Sequence, residues 1–468
     1  MNGAAAQATA AALVVAWAGF TFFALRRGRP PESGHDTGGS SPDTRGGSDD
    51  TRGSSHDTDG ILVVHASQTG FATELASRTE AALRAGGRRV EALSIDMLSP
   101  EVLASASLAL FIVSTTGEGD APDMAMGFQR ELMARPASLE HMSFGVLALG
   151  DRDYEDFCAF GRELDHWLRT SGARPALDRV DVDNGDEAAL RHWQHAVDHW
   201  SGTPEAPDWV RPTYQSWTLA ERELLNPGSA GGACYHVALV PDDPALLAWD
   251  AGDIVEIGPR RAGVDPASLP HREYSIASIP ADGALHLVVR QQRRADGTPG
   301  LGSGWLTEGA SVGGAIDVRV RRNVGFHAPK DDRPLVLIGN GTGVAGLRAL
   351  LRQRIARGHH RNWMVFGERH SQVDRLHVDE LERWRDAGLI ERLDLVWSRD
   401  GGPLRYVQDS LHESGDAVRR VVGQGASIYV CGSLAGMAPA VDAVLRDVLG
   451  DSAVETLVVT GRYRRDVY

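Results

Sequence analysis

Two stretches of this chain alternate short apolar runs with amphipathic helical spacing, and the stretch between them does not. That three-part rhythm constrains the fold more than any other feature. In the first stretch Ile61-Leu62-Val63-Val64 precedes helical spacing over 73–85, and 108–113 and 145–149 are again apolar runs of strand length. Alternation of this kind predicts a parallel sheet covered by helices. Pro204, Pro207 and Pro212 mark a boundary. Over 216–328 helical patterns are scarce, and short runs at 255–257, 285–290 and 315–320 predict an antiparallel β-barrel. From Pro334 the alternation returns. The 468 residues therefore read as three domains, at 61–203, 216–330 and 331–468, with a linker at 204–215.

The first sixty residues belong to none of these domains. Counting from Ala4, 22 residues carry no charge, Trp17, Phe20, Phe22 and Phe23 among them, and Arg26, Arg27 and Arg29 close the run. That length crosses a hydrocarbon core of about 30 Å. A cleaved signal peptide places its positive charge ahead of the apolar run rather than behind it. Arginines on the C-terminal side hold that side in the cytoplasm. Residues 1–29 are expected to form one transmembrane helix, a single-pass anchor in a bacterial-type inner membrane, with the catalytic domains on the cytoplasmic side. Residues 30–60 are mostly Gly, Ser, Asp, Thr and Arg, with nothing to bury a core, and read as a disordered tether.

The formal net charge is −15, and residues 61–200 carry 22 acidic against 12 basic side chains. A nucleic-acid binder presents a basic face, so that class is excluded. The acidic first domain suits either a basic protein partner or plain solubility. Cys158, Cys234 and Cys431 are odd in number and widely spaced, which argues against a disulfide framework or a zinc site, and no metal is expected.

Three loops of the first domain follow strands, where an open α/β sheet places its ligand. Ser67-Gln68-Thr69-Gly70-Phe71-Ala72-Thr73 joins a strand to a helix, and its small hydroxyl residues and glycine let backbone N–H groups surround a phosphate. It has no lysine or arginine, which suits a monophosphate. The second loop, Ser114-Thr115-Thr116-Gly117, offers turning backbone and donors. The third, Gly150-Asp151-Arg152-Asp153-Tyr154, offers a ring for stacking on a planar ligand. In the barrel, Arg272-Glu273-Tyr274-Ser275-Ile276-Ala277-Ser278 combines an arginine for a pyrophosphate, an aromatic and a hydroxyl. Gly302-Ser303-Gly304-Trp305 is a second amide-rich loop. In the last domain a strand ends in Gly341-Thr342-Gly343 before a helix, admitting a pyrophosphate close to the backbone, and Arg348 is expected to add a charge one turn on.

Taken in order, these motifs resemble the diflavin reductases, a family that includes the sulfite reductase flavoprotein subunit and microsomal cytochrome reductases; the likeness covers roughly 60–468. The resemblance implies a multidomain protein with a flavodoxin-like FMN domain, an antiparallel barrel for FAD and an α/β NADP-binding domain. It implies that Ser67, Thr69, Gly70 and Thr73 hold the FMN phosphate, with Tyr154 stacking on the flavin, and that Gln68, Ser114, Thr115, Thr116, Gly117, Gly150 and Asp151 also belong to the cofactor site. It assigns Arg272, Tyr274, Ser275, Gly302, Ser303, Gly304 and Trp305 to FAD. Gly341, Thr342, Gly343 and Arg348 are assigned to the NADPH pyrophosphate, and Ser398, Arg399, Arg405, Tyr406 and Gln408 to its 2′-phosphate. Ser275, Cys431, Asp466 and Tyr468 form the hydride path, with Tyr468 also shielding FAD. Four departures stand out: Thr115 and Thr116 where some relatives have a tyrosine, Asn340 and Gly346 where the family has prolines, Leu404 in place of a lysine, and only about a dozen residues between Ile257 and His271 where relatives place a helical connecting domain.

The expected activity is transfer of electrons from NADPH through FAD and FMN to a haem-protein or sulfite-reductase-type acceptor. Two other readings stay open on the sequence: a membrane-anchored reductase of ferric chelates, and a non-catalytic membrane-bound flavin sensor.

Overall fold

The central strands of the first domain are apolar on both faces, as strands covered by helices on both sides must be. In a computed structural model, which describes residues 60–468 apart from 118, 153, 203–208, 210–212, 267–268, 295 and 435, they are β1 (Ile61–Ala66), β2 (Val90–Ser94), β3 (Leu108–Ser114), β4 (Ser143–Gly150), β5 (Arg174–Pro175) and β6 (Val180–Asp183). All pair in parallel, in the order β2-β1-β3-β4-β5, with β6 also on β4. One core lies on each face, one around Phe111, Phe144 and Phe160 and the other around Leu75, Leu110 and Trp193. The helix Phe71–Ala85 packs on the second face with Leu75, Ala76 and Leu83 inward. The expected anchor and tether, and most of the 204–215 linker, lie outside the described residues. Among the described residues no helix is long and apolar enough to cross a membrane.

The middle region alternates inward and outward residues, the period of a strand with one buried face. Its strands are β7 (Gln215–Leu224), β8 (Cys234–Pro241), β9 (Ile254–Gly258), β10 (Arg272–Ser275), β11 (Leu285–Arg290) and β12 (Ala315–Arg321). They form an antiparallel sheet in the order β10-β9-β12-β7-β8-β11. The sheet curls on itself: past the end of β10, Ala277 N–H donates to the His286 carbonyl of β11 at 2.8 Å. Trp217, Leu239, Ile257, Leu287 and Ile316 fill the interior. Between β9 and β10 the chain has only the short loop 259–271.

The last domain is a five-stranded parallel sheet, β13 (Leu335–Asn340), β14 (Asn362–Glu368), β15 (Arg392–Trp397), β16 (Ser427–Gly432) and β17 (Tyr463–Val467), in the order β15-β14-β13-β16-β17. One of its cores is shared with the barrel, because Cys234, Ala277 and Val288 pack with Leu347 and Leu351. Arg348 corrects an expectation here. Its side chain is buried, held on both sides by Glu380 (2.5 and 3.1 Å) and bonded to the Ala277 carbonyl. Arg348 lies on the helix face turned to the barrel, so it joins two domains and is not free to meet a pyrophosphate.

Candidate functional site

The centre of the molecule is where β17 brings the chain's last residues beside β16. The parallel register sets Cys431 opposite Asp466, and β10 enters from the barrel, so three distant residues meet. The Ser275 hydroxyl donates to Asp466 Oδ2 at 2.7 Å, and the Cys431 thiol lies 3.7 Å from the same oxygen. Burial pushes the Asp466 carboxyl above its ordinary range, against the pull of the Ser275 and Cys431 hydrogen bonds. Burial, then the neighbouring carboxyl, pushes the Cys431 thiol well up, so it stays protonated. A hydroxyl, a thiol and a carboxyl thus share one buried point that can hold or pass a proton. Tyr468 closes over this region half-exposed, its hydroxyl 3.3 Å from Thr342 Oγ1 and its N–H donating to the Gly432 carbonyl at 3.0 Å.

The glycine loop after β13 lies against the same cluster. A side chain at Gly343 would collide with the Cys431 carbonyl, so the turn passes directly over β16. Gly341 is left-handed (φ 57°), and a Cβ there would meet Glu368 Oε1 at 3.8 Å and Arg290 Nη2 at 3.9 Å. The two positions where the family carries prolines have clear surroundings. The Asn340 side chain accepts from Ser433 N–H at 2.9 Å, and Gly346 faces Cys431, Phe326 and Asp466. With Arg348 turned away, Arg290 of β11, paired with Glu368 at 2.8 Å, brings a cation beside this loop. Sequence reasoning missed Arg290, although it ends the strand run at 285–290. Ser398, Arg399, Arg405 and Tyr406 gather beyond the end of β15. Arg405 Nε reaches the Ser398 carbonyl at 3.3 Å, its guanidinium lies 5.7 Å from the Tyr406 ring centre, and Gln408 sits in the first turn of the following helix, Val407–Glu413.

On the barrel side, Gly302 packs against Arg272 and Tyr274; a Cβ there would lie 2.6 Å from Arg272 Cγ and 2.8 Å from the Tyr274 hydroxyl. The Ser303 hydroxyl accepts from Gln292 N–H at 3.0 Å, and Gly304 and Trp305 continue that turn. Trp305 Nε1 is buried with no partner among the described residues.

In the first domain the Ser67 hydroxyl accepts from Ala72 N–H at 3.2 Å at the start of the helix Phe71–Ala85, and Gly70 there is left-handed (φ 87°). Thr115 Oγ1 is buried with no partner among the described residues, Thr116 closes a tight turn onto Asp120, and Tyr154 is half-exposed. These features fit a phosphate-bearing planar ligand. Two residues expected at the cofactor are already engaged: Thr73 Oγ1 lies 3.3 Å from His65 Nδ1, and Gln68 accepts from Asp123 N–H while donating to the Arg465 carbonyl. The first contact lies within the first domain, and the Gln68–Arg465 bond belongs to the docking of that domain on the other two. Arg465 Nε meets Asp123 at 2.8 Å, Arg130 meets Glu455 at 3.0 Å, and Arg319 joins Glu74 to the buried Glu256. Burial opposes the Glu256 charge, but Arg321, His271 and Arg319 outweigh it and hold that carboxyl below its ordinary range. The middle loop also reaches the hydride cluster: Gly117 abuts Leu434, whose N–H donates to the Tyr468 carbonyl at 3.2 Å.

A flavodoxin-type sheet, an antiparallel barrel and a nucleotide-type sheet converging on one buried Ser-Cys-Asp cluster define an electron-transfer flavoprotein. The Flavodoxin family matches residues 63–193, and the Oxidoreductase NAD-binding domain family matches 337–443. The chain is similar to the sulfite reductase [NADPH] flavoprotein alpha-components of Neisseria meningitidis (27% identical, 87% of this chain and 89% of that one), Salmonella typhi (28%, 87% and 90%) and Escherichia coli K12 (28%, 87% and 90%). Together these similarities support a diflavin reductase. The alignments, at 539 to 544 positions, are longer than the chain itself, so these relatives carry residues that it lacks.

Proposed function

We propose that this diflavin reductase is an NADPH-dependent oxidoreductase that relays electrons through FAD and FMN to a separate acceptor protein of the sulfite-reductase haem type. The two flavins, when bound, turn a two-electron hydride donor into a source of single electrons. The chain's own residues do the rest. Ser275, Asp466 and the protonated Cys431 hold a proton at the point where the barrel and nucleotide domains meet. Tyr468 covers that point and must move aside for a nicotinamide. Gly341 and Gly343 admit a pyrophosphate, with Arg290 as its counter-charge, while Ser398, Arg399 and Arg405 offer donors to a 2′-phosphate. Ser67, Gly70 and Thr115 receive a flavin phosphate and ring edge, and Tyr154 stacks on that ring.

The observation that carries this reading is the meeting of Ser275, Cys431 and Asp466, with the flavodoxin-type loop at Gly117 reaching the residues beside them. It supports direct passage between the two flavin domains without a connecting domain. The N-terminal apolar run supports an inner-membrane anchor that keeps this machinery at the cytoplasmic face. Flavin extraction followed by anaerobic NADPH titration tests the proposal. One FMN and one FAD per chain, both bleached, are expected; a chain that oxidises no NADPH with any artificial acceptor would be a flavin sensor instead. Faster reduction of ferric chelates than of haem proteins would change the acceptor. Sedimentation of the full chain with membranes, and its loss on deleting residues 1–29, tests the anchor.

A further inference from the structure

The phosphate loop of the first domain, residues 67–73, contains no lysine or arginine, and the barrel lays a buried guanidinium against it. We propose that Arg321 of β12 supplies the counter-charge for the FMN phosphate, so that the barrel completes from outside a site that the flavodoxin-type loop begins. The inference rests on the diflavin reading above, and it concerns what sets this chain's preference for a phosphorylated flavin.

Loop and strand end meet closely. A Cβ at Gly70 would collide with the Arg322 carbonyl oxygen and lie 3.7 Å from Asn323 Cα, so glycine is what lets the two backbones approach. Arg321 reaches the residue on either side of Gly70. Its Nη2 lies 3.4 Å from Thr69 Oγ1, and its guanidinium carbon stands 5.5 Å from the centre of the Phe71 ring. The guanidinium thus spans the turn that opens the helix Phe71–Ala85, where the first amides of the helix favour an anion. The Arg321 side chain is only 3% exposed. Its Nη1 is buried with no hydrogen-bond partner among the described residues, and so is Asn323 Nδ2 two residues on. Unpaired buried donors are unfavourable, charged ones most of all, and a phosphate oxygen is an acceptor of the kind they lack.

Arg321 already has two carboxylate neighbours, and their burial decides which one a phosphate displaces. Glu256 is 1% exposed, lies 3.2 Å from Arg321 Nε, and is held a second time by Arg319 at 3.0 Å. Glu273 pairs with Nη2, the same nitrogen that faces Thr69, and it is exposed. Glu256 therefore keeps a partner when Arg321 turns Nη2 to another anion, and Glu273 returns to water at little cost. Arg319 does not take this part itself, since its two ends are committed to Glu256 and Glu74. Because Arg321 belongs to the barrel, a phosphate at this point binds more tightly when the two domains are docked. By reciprocity, it also favours docking.

The test compares FMN with riboflavin, which carries the same ring and ribityl chain without the phosphate. Full chain saturated with FAD and depleted of FMN is titrated with each flavin, and binding is followed by fluorescence. Arg321→Gln is expected to weaken FMN at least about tenfold while riboflavin stays within about twofold of the parent. Arg321→Lys keeps a cation and should retain part of the preference for FMN. Glu273→Gln removes the competing carboxylate at an exposed position and should tighten FMN by about threefold without altering riboflavin. A packing role for Arg321 would weaken both flavins alike, and that result would overturn the assignment. So would unchanged FMN affinity in Glu273→Gln, a variant that does not disturb the buried guanidinium and so serves even where Arg321→Gln fails to fold. A parent chain that takes up neither flavin would refute the diflavin reading itself, which separates the two failures.

Discussion

At the scale of single residues, Asp466 carries the most. A carboxyl buried beside a hydroxyl and a thiol is costly to charge, and its raised pKa records that cost. Asp466→Asn keeps the shape and can still accept from Ser275, so the fold should hold. Without a titratable group, reduction of the flavin by NADPH should slow by at least about tenfold in anaerobic stopped flow. An unchanged rate would remove Asp466 from the chemistry and leave it a packing residue. Arg348 teaches the complementary lesson. One turn into a helix after a glycine loop, it reads in sequence as a phosphate partner, yet the helix turns it to Glu380 and the Ala277 carbonyl. Residue spacing located it, and only packing decided which way it faces. Arg290 is the converse, a basic residue ending a barrel strand that becomes relevant only once the barrel docks on the glycine loop.

At the scale of elements, the turn from β13 into the helix Val344–Ala356 must pass over β16 with almost no clearance. Gly343→Ala should cost at least about 2 kcal/mol, because the new methyl meets the Cys431 carbonyl and backbone cannot give way cheaply. Gly346→Ala should do the reverse. Its methyl would meet Cys431 Sγ and Phe326 at 3.4 Å, an ordinary contact, and alanine in a helix is favoured over glycine by about 0.5–1 kcal/mol. Denaturant melts of the two variants should therefore move in opposite directions from the parent. Both glycines stand out in the sequence as part of one glycine-rich turn, but nothing in it tells them apart, since the difference depends on how near a strand ninety residues away lies.

At the scale of the whole molecule, the barrel and nucleotide domains are joined by a buried group that sequence reasoning passed over. His236 of β8 and His286 of β11 stack edge to face at 4.7 Å, and His377 at the start of the helix Val378–Asp386 lies 5.3 Å from His236. Arg348, Arg352, Glu380 and Asp282 surround them. Burial first, then the nearby arginines and histidines, holds His286 down to about 4 and His377 to about 2, and His236 is lowered too. These rings are neutral in the folded protein and free to charge in the unfolded chain. Stability is therefore full above the ordinary histidine value and falls as pH drops through it. For His286 alone the loss at about pH 5 is about 2 kcal/mol. Melting should drop steeply between about pH 7.5 and 5, and His286→Gln should flatten that dependence; a parallel decline in the variant would count against the cluster.

Much of this protein was settled by local sequence. Apolar runs of strand length with helices between them specify parallel sheets, because both faces of such strands must be covered. Alternating residues specify the curled antiparallel sheet between them. The three loops after β1, β3 and β4 could be read as chemistry because small hydroxyl residues, glycines and aromatics have few other reasons to share those positions, whereas Asp466 and Tyr468 were legible only through the resemblance to the diflavin reductases. What the tertiary structure alone decided is direction and proximity. The register of β17 on β16 sets Asp466 opposite Cys431, the helix face aims Arg348 at the barrel, and ion pairs from Glu74 and Asp123 seat the first domain against the other two. Each of these depends on residues far apart in the chain meeting across a packed interface, and no local pattern records where such a meeting occurs.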